Sequence, residues 1–268
     1  MGDMNLQHRI VTWNCNGRAA IWDYLLDLHA DVALLQEVGP IPERVRQVYD
    51  LRLATPKTKT GRPQRFKTAL LVRGTIGEPL SMPAPIDWVA KELDYFSGNL
   101  PAYSIELADG TALRTICVYS PAWPVDRLRL EGLDLSGVKL SQNPDVWVMD
   151  LLWASLNCQR FDPLVNWVIA GDFNSSETFD QWPGGPRGNR EYLDKMASLG
   201  LVECLRQQKG RVTPTFRDPK GHGINHQTDH LFVTSQMAAL LVRCETGSPE
   251  QVFGLLSDHL PIVADFAV

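Results

Sequence analysis

The sequence has no apolar run approaching the ~20 residues that a membrane-spanning helix requires, so no spanning segment is expected. Its opening residues, MGDMNLQHRI, lack the apolar stretch of a secretory signal, and export is not expected either. Cysteine is sparse: Cys15, Cys117, Cys158, Cys204 and Cys244 are scattered, with no C-x-x-C pair. That spacing argues against a disulfide framework and against zinc. Four of the five sit among apolar neighbours and read as small core residues in a reducing, cytoplasmic compartment. Low-complexity linkers, composition breaks and internal repeats are also missing. A chain of 268 residues at 44% hydrophobic therefore reads as one domain, 1–268, with a large core. Nor is positive charge in excess. A formal net charge of −5 gives no global attraction to nucleic acid, which leaves local patches to supply any.

Two such patches are present. KTKTGRPQRFK (57–67) holds five basic residues and no acid, and RQQKGRVTPTFRDPK (206–220) is similarly biased; each reads first as a solvated loop. Around them the apolar pattern alternates between strand and helix. RIVTWNCNG starts β-branched and ends at Gly17, a strand, and AAIWDYLLDLHA carries a helical stripe at Ile21, Trp22, Leu25, Leu26 and Leu28. DVALLQEVGP and ALLVRG follow as strands, and AYSIELADGTALRTICVYSP as a hairpin turning at Asp109-Gly110. A Trp-rich helix over DVWVMDLLWASLNC precedes the strand that runs into Gly171. NREYLDKMASLG is a helix stopped by Gly200, and TDHLFVTS and HLPIVADF are late strands. The composite is α/β with a large antiparallel share, two packed mixed or antiparallel sheets flanked by helices.

The strand ends share one polar theme: Asn14 and Asn16, Gln36 and Glu37, Tyr119 and Ser120, Asp172 and Asn174, Asp229-His230, and Ser257-Asp258-His259. Alternation puts Asn14 and Asn16 on one face, and Asp172 and Asn174 likewise if the strand extends that far. A buried sheet tolerates so many polar groups only where they satisfy one another or a bound ligand. The carboxylates Glu37, Asp172, Asp229 and Asp258 are hard oxygen ligands of the kind Mg²⁺ takes, with water and substrate phosphate completing its shell. The amides of Asn14, Asn16 and Asn174 add donors without adding negative charge, and His259 supplies a cationic donor or proton shuttle. Together these parts suit hydrolysis of a phosphate ester by an activated water.

The ordered set TWNCNG, LLQEV, VYSP, GDFNSS, TDHLFV and SDHLPI resembles the endonuclease/exonuclease/phosphatase superfamily, and the resemblance spans nearly the whole chain. It implies the DNase I-like four-layer sandwich. By the same resemblance Glu37 is the principal Mg²⁺ ligand, with Mn²⁺ an acceptable substitute, and Asp258 is a second metal-site carboxylate. Asn14 organises the site, Asp172 is the general base, and Asn174 holds the scissile phosphate. Tyr119 reaches the phosphate, and Asp229 accepts a hydrogen bond from His259 and favours its charged form. Asn16 stands where many relatives carry a carboxylate, which lowers the negative charge of the metal site. His230 alternates to the opposite face and is structural, and Ser175 is a candidate helix cap.

For substrate, Arg62, Arg65, Lys67, Asn225 and His226 are candidate contacts. Basic side chains beside Phe66 suit a single strand, and nucleic acid is the expected partner, with a monomer as default. Relatives that recognise abasic sites place a Trp before the late Asp strand, and KGHGINHQTDH has none, so abasic-site repair is not expected. A phosphatase or lipid-head-group phosphodiesterase is the alternative, and a catalytically silent phosphate-binding module a further one.

Overall fold

The structure is a computed structural model and describes residues 7–158, 165–182, 187–218 and 223–268. In chain order its strands begin with β1 (Gln7–Asn14), β2 (Val32–Val38), β3 (Asp50–Ala54), β4 (Lys67–Val72), β5 (Gly74–Pro79), β6 (Ala102–Leu107) and β7 (Ala112–Tyr119). They continue with β8 (Trp167–Asp172), β9 (Leu201–Glu203), β10 (Phe216–Asp218), β11 (Gly223–His226), β12 (Asp229–Thr234), β13 (Leu241–Thr246) and β14 (Ile262–Ala267). Two six-stranded sheets result, ordered β13-β14-β1-β2-β4-β3 and β5-β6-β7-β8-β12-β9, with β10 and β11 forming a separate pair. Each large sheet has one parallel pair, β1 with β2 and β7 with β8, and antiparallel neighbours on both sides.

Alternation sorts the side chains into layers. Ile10 of β1, Leu34 of β2, Cys117 of β7, Val168 and Ala170 of β8 and Leu231 of β12 meet in the core between the sheets. Their neighbours Val11, Trp13 and Leu35 turn outward under the helix Ile21–Asp27, whose Ile21, Trp22 and Leu25 are buried. On the far side Ile116, Val118, Ile169 and Phe232 pack beneath the helices Asp87–Tyr95, Val148–Cys158 and Asn189–Ser198. Helix, sheet, sheet, helix is the four-layer sandwich expected. Cys15, Cys117, Cys204 and Cys244 are buried and Cys158 is exposed, all five as free thiols.

Several boundaries differ from the sequence reading. β1 stops at Asn14 and β8 at Asp172, and Asn16 and Asn174 then take positive φ (46° and 47°), so turn geometry rather than strand alternation aims them. The Trp-rich helix starts only at Val148, because the Asp150 carboxylate takes the Trp147 amide at 2.8 Å and sets the first turn there. The stretch 206–220 is a loop only over residues 210–215. It continues the helix Cys204–Lys209, Arg206 pairs with Glu177 at 2.9 Å, and β10 occupies Phe216–Asp218; Pro219 and Lys220 lie outside the described residues.

Candidate active site

The inward-facing sets of β1 (Ile10, Thr12, Asn14) and β8 (Val168, Ala170, Asp172) run up the two faces of the inner core and meet at its rim. Asn14 Nδ2 donates to Asp172 Oδ2 at 3.0 Å and to Glu37 Oε1 at 3.2 Å, and Asn14 Oδ1 accepts from the Asn16 amide at 3.0 Å. Every polar atom of the Asn14 side chain is thus used within the protein, and it bridges two carboxylates that would otherwise repel. Glu37 arrives by an irregularity. In a regular β2 it would face outward with Leu35, but the pairing with β4 shifts register between Leu35 and Val38, and Glu37 has φ 50°. The bulge turns its carboxylate into the site, where Tyr119 Oη also donates to Oε1 at 3.1 Å. Burial and the charges of Glu37 and Asp172 raise the Tyr119 phenol above its ordinary value, so it stays a proton donor.

Asp172 sits opposite Asp229 across the β8–β12 pair and opposite Tyr119 across β7–β8. Asn174 caps it: the Asn174 amide donates to Asp172 Oδ1 at 2.9 Å, and Asn174 Nδ2 donates to Ser120 O (2.6 Å) and Asp172 Oδ2 (3.2 Å). His259 Nδ1 donates to Asp229 Oδ2 at 2.9 Å, which leaves Nε2 for a substrate. Thr215 Oγ1 (2.6 Å) and Thr228 Oγ1 (3.2 Å) donate to the same oxygen of the fully buried Asp229. Burial opposes a charge on His259, but Asp229, Asp172 and Asp258 outweigh it and push the imidazole up to about 10. Burial raises the Asp172 carboxyl, with the positive charge of His259 pulling it back.

The rim closes with Ser257-Asp258-His259. Trp13 Nε1 donates to His259 O (2.8 Å) and Ser257 Oγ to Asn14 O (2.7 Å), which locks this segment to the end of β1. Asn16 Nδ2 donates to Asp258 Oδ1 at 2.9 Å. Asn14, Asn16, Glu37, Tyr119, Asp172, Asn174, Asp229, Asp258 and His259 are therefore joined through one set of hydrogen bonds and paired strands. His230 is structural as expected: it is buried, reaches Ser175 O at 2.9 Å, and packs edge-on to Phe173. Ser175 is not a cap of the turn that follows it, because its hydroxyl bonds Asn189 Oδ1 at 2.8 Å.

The candidate substrate contacts divide. The segment 57–67 abuts the site, with Phe66 lying where a Gly17 side chain would be and Arg65 stacked over Phe66 at 4.5 Å. Arg62 and Arg65 are exposed, whereas Lys67 belongs to β4 and bonds Thr55 at 2.7 Å. His226 is not an exposed contact; it is buried, with Nδ1 2.8 Å from Thr178 Oγ1. The side chain of Asn225 lies outside the described residues. Sequence reasoning missed Thr215, and it named Ser257 among the strand-end polar groups without giving it a role. A Thr in a PTF stretch carries no pattern that points to a buried carboxylate as its partner.

The donor set suits a hard divalent cation. Burial pushes the nearby Cys15 thiol well above its ordinary value, so no thiolate is on offer, and the rest are carboxylates, amides and one imidazole. Both hydrogen bonds to Glu37 fall on Oε1, and the buried Asp229 Oδ1 has no partner. Asp172, Asp229 and His259 each offer a ligand atom within 4.8 Å of one another, the only group of this kind among the described residues.

A four-layer sandwich with an acidic and imidazole cluster at the rim between its sheets defines a phosphoesterase fold. The family model for the endonuclease/exonuclease/phosphatase family matches residues 11–259, and the chain belongs to that family. The fold is similar to an AP endonuclease from Archaeoglobus fulgidus, at 20% identity over 97% of this chain and 100% of that one, with a TM-score of 0.70. It is also similar to the 3′ phosphatase NExo from Neisseria bound to a product DNA hairpin (17% identity, 97% and 100% coverage, TM-score 0.67). An AP endonuclease from Leishmania major is similar at 17% identity over 100% of this chain and 90% of that one, TM-score 0.64. A sequence search of curated proteins finds no match. At these identities the likeness is one of fold.

Proposed function

We propose that the chain is a Mg²⁺-dependent phosphodiesterase that hydrolyses nucleic acid. The observation that carries the reading is the convergence of Asn14, Glu37, Asp172, Asn174 and the Asp229–His259 pair at one rim. Glu37 and Asp258, with Asn16 beside them, would hold the cation, and Mn²⁺ suits the same ligands. The Asp172–Asp229–His259 group is the less suitable place, because a protonated His259 has no ring lone pair to give a metal and already balances one of the two carboxylates. A bound cation supplies charge that stabilises the phosphoryl oxygens.

The chain's own groups account for the rest. Asp172, lifted by burial and held by Asn14 and Asn174, takes a proton from the attacking water. His259 presents Nε2–H to a phosphoryl oxygen while Asp229 keeps the ring charged and oriented. Asn174 Nδ2 already donates to Ser120 O and Asp172 Oδ2, so a phosphate must win one of its hydrogens from Asp172. Losing that bond leaves the carboxylate more basic as substrate arrives. Arg62 and Arg65 then position the strand through its phosphates rather than its bases.

Support for nucleic acid comes from the exposed Arg62 and Arg65 beside the site and from the DNA bound by the Neisseria relative in fold. The test is a hydrolysis panel of single- and double-stranded DNA, RNA, an abasic duplex, inositol phosphates and a sphingomyelin analogue. It is run on wild type and Asp172→Asn at several salt concentrations. Expected are cutting of a polynucleotide that weakens steeply with salt through counterion release, and loss of cutting in the variant. Turnover of the small esters alone would replace nucleic acid with the phosphatase or lipid-head-group alternative. Full activity in Asp172→Asn would remove the base assignment.

A further inference from the structure

Beside Asp258 the rim opens into a cavity of about 200 Å³ lined by Asn16, Arg18, Arg217, Leu255, Ser257 and Asp258. It shares Asn16 and Asp258, joined at 2.9 Å, with the candidate cation site, and adds two arginines that the mechanism leaves unused. Both are fixed at the backbone. Arg18 follows the turn at Asn16-Gly17, where the Gly17 amide donates to Glu37 O at 2.7 Å and the Arg18 amide to Cys15 O at 3.0 Å. Arg217 lies on β10, which is latched to the segment Ser257–His259. The Arg217 amide donates to Asp258 O at 2.8 Å, the Leu260 amide to Thr215 O at 2.7 Å, and the Phe216 ring lies 4.8 Å from that of His259. Two arginines far apart in the chain thus line one cavity with a single carboxylate.

Both arginines are exposed, and neither is in an ion pair among the described residues, whereas Arg44, Arg127 and Arg190 are each paired with a carboxylate. Arg217 lies over the Phe253 ring, 4.6 Å from its centroid. A guanidinium braced on a ring keeps its in-plane N–H donors for another partner, and the oxygens of a phosphate match that fork. Against Asp258 alone, the pair gives the cavity net positive charge on a chain whose formal net charge is −5.

We propose that Arg18 and Arg217 bind the phosphate that flanks the scissile phosphate in a nucleic-acid strand. The cavity is smaller than the ~300 Å³ at which sites for whole small ligands begin, so it suits one group of a longer substrate. The inference rests on the phosphodiesterase reading above and adds to it the need for a second phosphate. It also sets the path of the strand. β1 lies between β14 and β2; the segment 57–67 leads into β4 on the β2 side, and Ser257–His259 leads towards β14. A strand held by Arg65 on one side and Arg217 on the other crosses the ends of β2, β1 and β14, past Glu37 and Asp258.

The test uses a labelled oligonucleotide cut at one defined bond, in which single linkages on either side of that bond are replaced in turn by a neutral methylphosphonate. In wild type one flanking replacement is expected to lower kcat/KM about ten-fold, the scale of a hydrogen bond to a charged group. Arg18→Gln and Arg217→Gln should each lose about as much on the unmodified strand, and the replacement then has little further effect. A variant that acts only by disturbing the fold gives additive losses instead. Arg217→Lys keeps the charge without the fork and should recover part of the loss. Additive losses at every linkage, or unchanged kinetics in both Gln variants, would overturn the subsite. Should wild type cut no polynucleotide, the nuclease reading fails on its own account. Fluorescence-anisotropy binding of the same strands then decides the subsite: the same non-additive pattern supports it, and its absence overturns it.

Discussion

Among the described residues, four that are not glycine have positive φ, and three of them, Asn16, Glu37 and Asn174, stand at the site. Such conformations cost about 1–2 kcal/mol each and persist where the surroundings over-determine them. Here the surroundings are carboxylate and amide hydrogen bonds, so the strain and the site have one origin. Thr215 shows how much a single hydroxyl can hold. It donates to Asp229 and accepts from the amides of Thr228 and Asp229, both at 3.2 Å. Thr215→Val keeps the shape but strands those groups, and should cost about 1–3 kcal/mol in denaturant unfolding while slowing hydrolysis. Unchanged stability would show that water or Thr228 replaces the bond. At this scale the sequence was legible for residues with a chemical signature, such as Asp172 and His259. Thr215 has none, and Ser257, though part of a motif, gives no sign that its hydroxyl reaches Asn14 O 243 residues away.

The strand explains the order of residues in GDFN. Gly171 lies in the parallel β7–β8 pair, and a Cβ added there would sit inside the van der Waals shell of Val118 O. Only glycine lets β8 approach β7 closely enough to set Asp172 opposite Tyr119. Gly171→Ala should therefore destabilise by about 3 kcal/mol or more, read as a lower unfolding midpoint, with activity lost through misplacement of Asp172. A stable, active Gly171→Ala would mean that the pair can separate at no cost. Alternation made Asn14, Tyr119, Asp172 and Asp229 legible as inward-facing, because their strands are regular to the end. The same rule fails for Glu37, since LLQEV gives no sign of the bulge between Leu35 and Val38. The burial of His226 is hidden for a related reason: its ring is covered by Phe179 and Trp182 from a turn 44 to 47 residues earlier, and no local pattern announces that.

Across the whole molecule, the two sheets each place a parallel pair at their centre, and the site lies where the carboxyl ends of both pairs meet. The six motifs were legible together because each marks the end of a central strand. The outer strands β3, β5, β9 and β13 were not, being short or half-exposed and lacking clean alternation. The outer helical layer contributes stability rather than chemistry, and Asp150 shows it. Burial lifts its carboxyl to about 7, against the pull of the Trp147 amide and the charges of Lys195 and Lys139. A folded-state value above the unfolded one gives stability that is full below about pH 4 and lost as pH rises through about 7. Asp150→Asn keeps an acceptor for the Trp147 amide without the charge. The variant should be more stable than wild type at pH 8 by an amount on the order of a few kcal/mol, with the gap narrower at pH 5 and closed only below about pH 4. Parallel melting curves at the two pH values would contradict the buried charge.

The central claim is that the rim between the sheets hydrolyses phosphodiesters with a cation held by Glu37. It is tested most directly by the hydrolysis rate as a function of Mg²⁺ concentration, with EDTA as blank, in wild type and Glu37→Gln. Wild type is expected to be silent in EDTA and to saturate with Mg²⁺, while Glu37→Gln needs about ten-fold more metal or more for the same rate. Superimposable titrations, or cutting that persists in EDTA, would contradict it.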